Sequence, residues 1–161
     1  MNLIFVQKIN GKKTNFISKI WAGFNQGVPH YLIPFKERKD YMKKLLEKGL
    51  INRDEMPFIP KIHTIRQDPK NRWKAGNKIH FQVNPYRPSM FQFAPVLEVF
   101  STQKIKILPR FETVWVDGGF ILDEQIAELA INDGFDSIDD FWEYFNDEFE
   151  GKIIHWTNYK Y

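Results

Sequence analysis

The chain of 161 residues contains no cysteine. It therefore has no disulfide, no Cys-ligated zinc site and no thiolate nucleophile. No stretch approaches the ~18 consecutive apolar residues that a membrane span requires. The short apolar run at residues 3–6 lacks a charged lead and a small-residue cleavage site, so we interpret it as a strand and not as a signal peptide. We expect a cytoplasmic protein that does not cross a membrane.

Several motifs of catalytic and metal chemistry are missing as well. The sequence has no Gly-rich phosphate loop and no G-x-S-x-G motif. Four histidines show no spacing typical of metal ligands: His30, His63, His80 and His155. We expect the last three to be hydrogen-bonded structural residues, and we expect no metal and no cofactor. A metal-dependent nuclease site remains an alternative, and it would use Asp139, Asp140 and Glu143.

Charge and aromatic side chains are the two distinctive features of the composition. Aromatic residues make up 16% of the chain, so a compact core can be built from few positions. The net charge is only +3, but residues 1–80 hold 17 Lys/Arg against 6 Asp/Glu, and residues 81–161 hold 6 against 14. The first half is thus +11 and the second half −8. An uneven distribution of this kind favours a basic surface that attracts phosphates, although solvated faces or attraction between the halves would also account for it.

Hydrophobic periodicity predicts an α+β protein. Alternation predicts a strand over residues 78–83, and helical spacing predicts helices over residues 35–48 and 123–132. A further helix is predicted to begin at Ser137 and to run to Gly151, with Phe149 on its apolar stripe. Asp117 and Gly118 predict a tight turn between two strands. We expect one domain spanning residues 1–161, in which residues 10–58 are an N-terminal elaboration.

Three segments, in order, resemble the ASCH family. They are Lys61-Ile-His-Thr-Ile-Arg66, then Trp73-Lys-Ala-Gly-Asn-Lys-Ile-His-Phe81, then Ala130-Ile-Asn-Asp-Gly-Phe-Asp-Ser-Ile-Asp-Asp-Phe141. The family pattern is Lys-x-x-Thr-x-Arg, a Gly-led strand, and a late Gly-Phe-x-Ser followed by an aromatic helix. The resemblance covers roughly residues 57–161, and the ending Gly151-Lys-Ile-Ile-His-Trp156 is similar to that of a group of small bacterial and phage-borne members.

The resemblance implies a PUA-like fold, which is a small mixed β-barrel with flanking helices. Relatives in that superfamily bind RNA or modified bases, so the implied partner is RNA or a modified nucleoside. One ASCH subgroup is similar to amidohydrolases that act on N4-acetylcytidine. Its working residues fall by position on Lys61, Thr64 and Asp133, with Arg66 beside them.

The same residues allow two kinds of chemistry. In a binding module, five side chains would contact phosphates or stack on a base: Lys61, Arg66, Arg72, Trp73 and Lys74. In an amidohydrolase, Thr64 would attack the amide, Lys61 would accept its proton, and Asp133 would position the lysine. Lys61 can act as a base only if burial and a nearby cation such as Arg66 lower its pKa from about 10.4 towards 7. A third possibility is a protein-interaction module, which would present an exposed apolar patch outside the cleft.

Overall fold

A computed structural model describes residues 1–26, 33–52 and 58–161. His30 and parts of the predicted elaboration, residues 27–32 and 53–57, lie outside this range. The predicted α+β class is confirmed. The elements, in chain order, are β1 (Asn2–Ile4), β2 (Lys8–Ile9), β3 (Lys12–Lys13), α1 (Phe16–Asn25), α2 (Phe35–Glu47), β4 (His63–Arg66), β5 (Lys78–Val83), β6 (Phe91–Gln92), β7 (Leu97–Glu98), β8 (Ser101–Leu108), β9 (Thr113–Val116), β10 (Gly119–Phe120), α3 (Asp123–Asn132), α4 (Ile138–Tyr144) and β11 (Phe149–His155).

The largest sheet has five strands in the order β10-β9-β8-β11-β4, and each neighbouring pair is antiparallel. In β8, Gln103, Ile105 and Ile107 are buried while Lys104 and Lys106 are exposed, because successive side chains of a strand point to opposite faces. A second sheet joins β1, β5 and β6, with β7 also paired to β5, and β2 pairs with β3. Over the residues that the structure describes, no sheet closes into a barrel.

Two hydrophobic clusters lie on opposite faces of the large sheet. Ile153 of β11 packs into one cluster, and its neighbour Ile154 packs into the other. The first cluster is covered by α3 and α4. The second is formed with β1, β5 and α1, and it is rich in aromatic rings such as Phe5 and Phe81, which stack with centroids 5.8 Å apart. Leu45 of α2 is also part of it, so described helices from the predicted N-terminal elaboration share this core.

Helices α3 and α4 begin where the sequence predicts. The bounds of α3 are the predicted residues 123–132, and the Ser137 hydroxyl accepts a hydrogen bond from the backbone N–H of Asp140 (3.1 Å) as the cap of α4. However, α4 ends at Tyr144, so the prediction of a helix to Gly151 was wrong. Phe149 instead opens β11 and pairs with Ile107. Among the helices of the described ranges, none has the length and apolarity needed to cross a membrane.

Candidate functional site

The segment Lys61–Arg66 lies at the free edge of the large sheet. β4 is the last strand of that sheet, and Thr64 pairs with Ile154 of β11. At the other edge of β4, which has no neighbouring strand in this sheet, the carboxylate of Asp133 accepts a hydrogen bond from the N–H of Ile65 (2.9 Å). Asp133 immediately follows α3 and therefore fastens the end of that helix to the sheet.

Lys61 and Asp133 form a buried ion pair. The Lys61 ammonium donates to the Asp133 carboxylate (2.9 Å) and also to the backbone carbonyl of Asp133. Only 1% of the Lys61 side chain and 8% of the Asp133 side chain are exposed. The ammonium lies 4.8 Å from the ring centroid of Phe16, and the aliphatic stem passes over Gly134, where an added Cβ would lie 2.9 Å from Lys61 Cδ. The structure thus brings together the two residues that the resemblance places in one site.

Burial sets the protonation of this pair. Burial lowers the pKa of Lys61 to about 8, and the positive charges of Arg66 and Lys19 add to the effect, although Asp133 opposes it. Burial by itself would raise the pKa of Asp133, but the charge of Lys61 and the contact with His63 hold it below its ordinary value. The pair is therefore charged at neutral pH, and Lys61 loses its proton far more readily than an exposed lysine does.

A chain of polar contacts continues from Asp133 to the last residue. His63 Nδ1 lies 3.5 Å from the Asp133 carboxylate, and His63 Nε2 lies 2.8 Å from the Tyr161 hydroxyl. Burial lowers the pKa of His63, so its ring is neutral. A neutral ring with its proton on Nδ1, towards the carboxylate, leaves Nε2 to accept from Tyr161. Asn132 donates to the same hydroxyl (2.9 Å). The prediction of a hydrogen-bonded structural residue agrees with these contacts for His63, but it was wrong for His155, whose two ring nitrogens have no hydrogen-bond partner in the described structure.

Two residues of this site had no signal in the sequence. Lys19 is buried, and its ammonium donates to the Gly134 carbonyl and to Asp136, both at 2.6 Å. Tyr161 reaches His63 across 98 positions of the chain. No motif or periodicity relates residues so far apart, and only the packing of α1 and of the chain end against the sheet brings them there.

The Lys61–Asp133 pair is closed to solvent. Thr64 is only 2% exposed, and it follows Lys61 on the strand side of the same segment. Phe16 and Phe5 cover the Lys61 ammonium. Five concave surfaces formed by the described residues are lined by neither Lys61 nor Thr64 nor Asp133. A bound molecule would therefore have to displace part of this cover to reach them.

The other four predicted binding residues do not share the surroundings of Lys61. The guanidinium of Arg66 donates to the Ile4 carbonyl (2.7 Å) and lies 5.4 Å from the ring centroid of Phe5. Arg72 and Lys74 are exposed on the loop between β4 and β5. Trp73 is only 6% exposed and belongs to the aromatic cluster. Its ring packs inward, whereas the neighbouring Arg72 and Lys74 point outward. Trp73 therefore offers no ring face to a base, and the predicted stacking role is corrected.

A broad concave surface lies beside that loop. A cavity of about 760 Å³, here called the sheet groove, lies between the loop after β4 and the face of the large sheet that carries Lys104 and Lys106. The loop contributes Asp68 and Asn71, and the sheet contributes Lys104, Lys106 and Trp115. Its volume is within the range of small-molecule and cofactor sites. These three sheet residues were not among the predicted site residues, although polar and apolar residues alternate along β8 and the alternation indicates which side chains are exposed.

Lys152 holds the loop against the sheet. Its ammonium lies 3.1 Å from the Asp68 carboxylate and donates to the Trp73 carbonyl (2.6 Å). Asp68 in turn accepts from the backbone N–H groups of Arg72 (2.9 Å) and Trp73 (2.8 Å). This network fixes the wall of the sheet groove and orients Arg72 outward.

Two of the three carboxylates considered for a nuclease, those of Asp140 and Glu143, are engaged in ion pairs. Lys12 lies 2.9 Å from Asp140 and 3.4 Å from Glu143. In the part of the chain that the structure describes, no group of three or more His, Cys, Asp or Glu side chains is arranged to hold a metal ion. Lys12 thus occupies the position that a cation would take between these carboxylates.

No family model, no curated protein and no solved structure matches the chain. The functional interpretation therefore depends on the residues of the site and of the sheet groove.

Proposed function

We propose that this chain is a cytoplasmic PUA-like domain of the ASCH type that binds RNA or a modified nucleoside. The observation that carries the proposal is the sheet groove, a cavity of about 760 Å³ with lysines and a partly exposed indole on one wall. The fold assignment is supported by the contact between the Lys61–Arg66 segment and the turn at Asp133 and Gly134, which the family resemblance brings into one cleft.

The charges around the sheet groove suit a polyanion. Lys106 pairs with Glu150 (2.9 Å), but both side chains are largely exposed, so a phosphate can replace the carboxylate at little cost. Among the described residues, Lys104 forms no ion pair. Three more cations are exposed on the adjoining loop: Lys70, Arg72 and Lys74. Several unneutralised cations around one concavity attract phosphate groups irrespective of base sequence.

The proposal is tested by binding of a fluorescein-labelled single-stranded RNA of about 12 nucleotides, followed by anisotropy over a range of salt concentrations. We expect binding that weakens as salt rises, and Lys104→Gln and Arg72→Gln should each reduce the slope of log K against log salt by about 0.7. Lys36→Gln, on the exposed face of α2, is the matched control and should leave the slope unchanged. Equal losses in all three variants would place the binding outside the sheet groove, and no binding by the wild type would refute the proposal.

A second candidate function is amide hydrolysis of an N4-acetylcytidine-type substrate. The observation that favours it is the Lys61 ammonium, whose pKa is lowered to about 8 and which contacts the Asp133 carboxylate. In this mechanism the Thr64 hydroxyl attacks the acetyl carbon while neutral Lys61 takes the hydroxyl proton and returns it to the leaving amine. Water then hydrolyses the acetyl-threonine ester and releases acetate.

This candidate requires the cover over Lys61 to open, because Thr64 is buried. The test is release of cytidine from N4-acetylcytidine by the purified protein, with Lys61→Ala and Thr64→Ala as variants. Turnover that disappears in both variants would establish the hydrolase. If the wild type neither turns over N4-acetylcytidine nor binds RNA, both candidates fail, and the third possibility, a protein-interaction module, is left.

A further inference from the structure

An exposed aromatic pair stands at one end of the sheet groove. Trp115 on β9 and Phe120 on β10 are cross-strand partners, and 40% and 53% of these residues are exposed. Their ring centroids are 6.2 Å apart, in an edge-to-face arrangement. The turn that joins the two strands has positive φ at both Asp117 and Gly118, as the predicted tight turn requires, so this short hairpin holds both rings on the same face.

Core packing does not account for this pair. Buried side chains of β9 alternate with exposed ones, and Val114 and Val116 already fill the inner face. Trp115 and Phe120 point to the opposite face, where Trp115 also lines the sheet groove. Neighbouring large aromatic side chains exposed beside lysines form the surface on which unpaired bases stack, because every base has a π-face.

The lysines of β8 run alongside the indole. Trp115 is the cross-strand partner of Lys106, and Lys104 lies two residues earlier on the same face of β8. Side chains two residues apart along a strand are about 7 Å from each other. Two ammonium groups therefore follow one line of the sheet, with the aromatic pair on the neighbouring strands. A strand of nucleotides presents phosphates along one side and bases along the other, and this is the complementary arrangement.

We propose that the sheet groove binds single-stranded RNA, with an unpaired base stacked on the Trp115 indole beside Phe120 and the adjoining phosphates on Lys104 and Lys106. This inference rests on the proposed RNA-binding function and specifies the form of the ligand. In a duplex each base is stacked between its neighbours and paired, so its face is not available to the indole. Discrimination against duplex RNA follows from the aromatic pair, whereas the lysines attract either form.

The experiment compares a fluorescein-labelled single-stranded RNA of about 12 nucleotides with a blunt duplex of the same sequence, by anisotropy at fixed salt. Trp115→Ala should weaken binding of the single strand by about 5- to 150-fold, and Trp115→Phe should restore part of the loss. The control is Phe111→Ala, which removes another exposed aromatic residue that does not line the groove. Circular dichroism of each variant checks that the fold is retained.

The outcomes separate this inference from the function on which it rests. The inference is supported if the duplex binds more weakly than the single strand and Trp115→Ala removes that difference. It is overturned if Trp115→Ala binds as the wild type does, or if the duplex binds equally well. If Lys104→Gln still weakens binding in those cases, the proposed RNA binding stands without the stacked base. No binding of either RNA would refute both.

Discussion

Replacement of Lys61 by methionine should destabilise the folded chain by about 3–5 kcal/mol. Methionine has an unbranched stem of similar length, so the packing over Gly134 is largely kept. The variant leaves the Asp133 carboxylate, whose side chain is 8% exposed, with a hydrogen bond from the Ile65 N–H but without its opposite charge. The carbonyl of Asp133 also loses its donor. An uncompensated buried charge is the dominant cost, because the carboxylate cannot recover its hydration while the fold is intact.

Lys19 provides a matched control. Its side chain is also buried, at 5% exposed, and it also bonds a carbonyl and a carboxylate, but 68% of the side chain of its partner Asp136 is exposed. In Lys19→Met the Asp136 carboxylate returns to water, so the cost is mainly the unsatisfied Gly134 carbonyl, about 1–3 kcal/mol. The difference between the two variants isolates the burial of the partner charge.

The assay is urea unfolding at pH 7, followed by tryptophan fluorescence. With an m value of about 2 kcal/mol/M, the Lys61→Met midpoint should fall by about 1.5–2.5 M. Adding Asp133→Asn to Lys61→Met should recover part of the loss, because the amide carries no charge and still accepts from Ile65. If Lys61→Met costs no more than Lys19→Met, or if the second substitution recovers nothing, then the reasoning from a buried unpaired charge is wrong.

Three further predictions concern pH and backbone geometry. Burial lowers the pKa of Lys61 from 10.5 to about 8, so between those pH values the unfolded chain binds a proton that the folded chain does not. The free energy of unfolding of the wild type, relative to that of Lys61→Met, should therefore increase from pH 8 to pH 10.5. A difference between their urea midpoints that does not change with pH would contradict this. Burial also lowers the pKa of His155 from 6.5 to about 3, and in the described structure neither ring nitrogen has a hydrogen-bond partner. The wild type should thus lose stability as pH falls from 6.5 towards 3, and His155→Leu, measured by thermal unfolding, should show a smaller loss and little cost at pH 7. Gly134→Ala should lower the free energy of unfolding by about 1–3 kcal/mol, because φ is +93° and the added Cβ would lie 3.0 Å from the Phe16 ring. The control Gly76→Ala is also at positive φ but in open space, so it should lower the free energy of unfolding by less.

Local patterns were sufficient for much of the fold. The period of the apolar residues predicted α3 at its observed bounds and β5 over residues 78–83, since each of these elements buries one regular face. The end of α4 was not predictable in this way. The apolar spacing continues to Phe149, but Phe149 of β11 pairs with Ile107 of β8, and this pairing outweighs the helical preference of the stretch. The pairing depends on a strand about forty residues away in the chain, so the local pattern does not show it.

The candidate site was also predictable only in part. The spacing of Lys61, Thr64 and Asp133 followed from resemblance to a family, and the contact between Lys61 and Asp133 agrees with it. The burial of Lys61 did not follow, because it depends on Phe16 and Phe5, which lie at least 45 positions earlier in the chain. Burial also decides the chemistry, since it lowers the pKa of Lys61 and removes Thr64 from solvent.

The sequence by itself determined the α+β class, the tight turn at Asp117 and Gly118, and the uneven distribution of charge, because these depend on neighbouring residues or on composition alone. The tertiary structure alone decided which cations face solvent, that Trp73 turns inward while Trp115 turns outward, and that Tyr161 reaches His63. Exposure and long-range contact are properties of the packed sheets and helices, and a residue type or a local spacing carries no information about what will be packed against it.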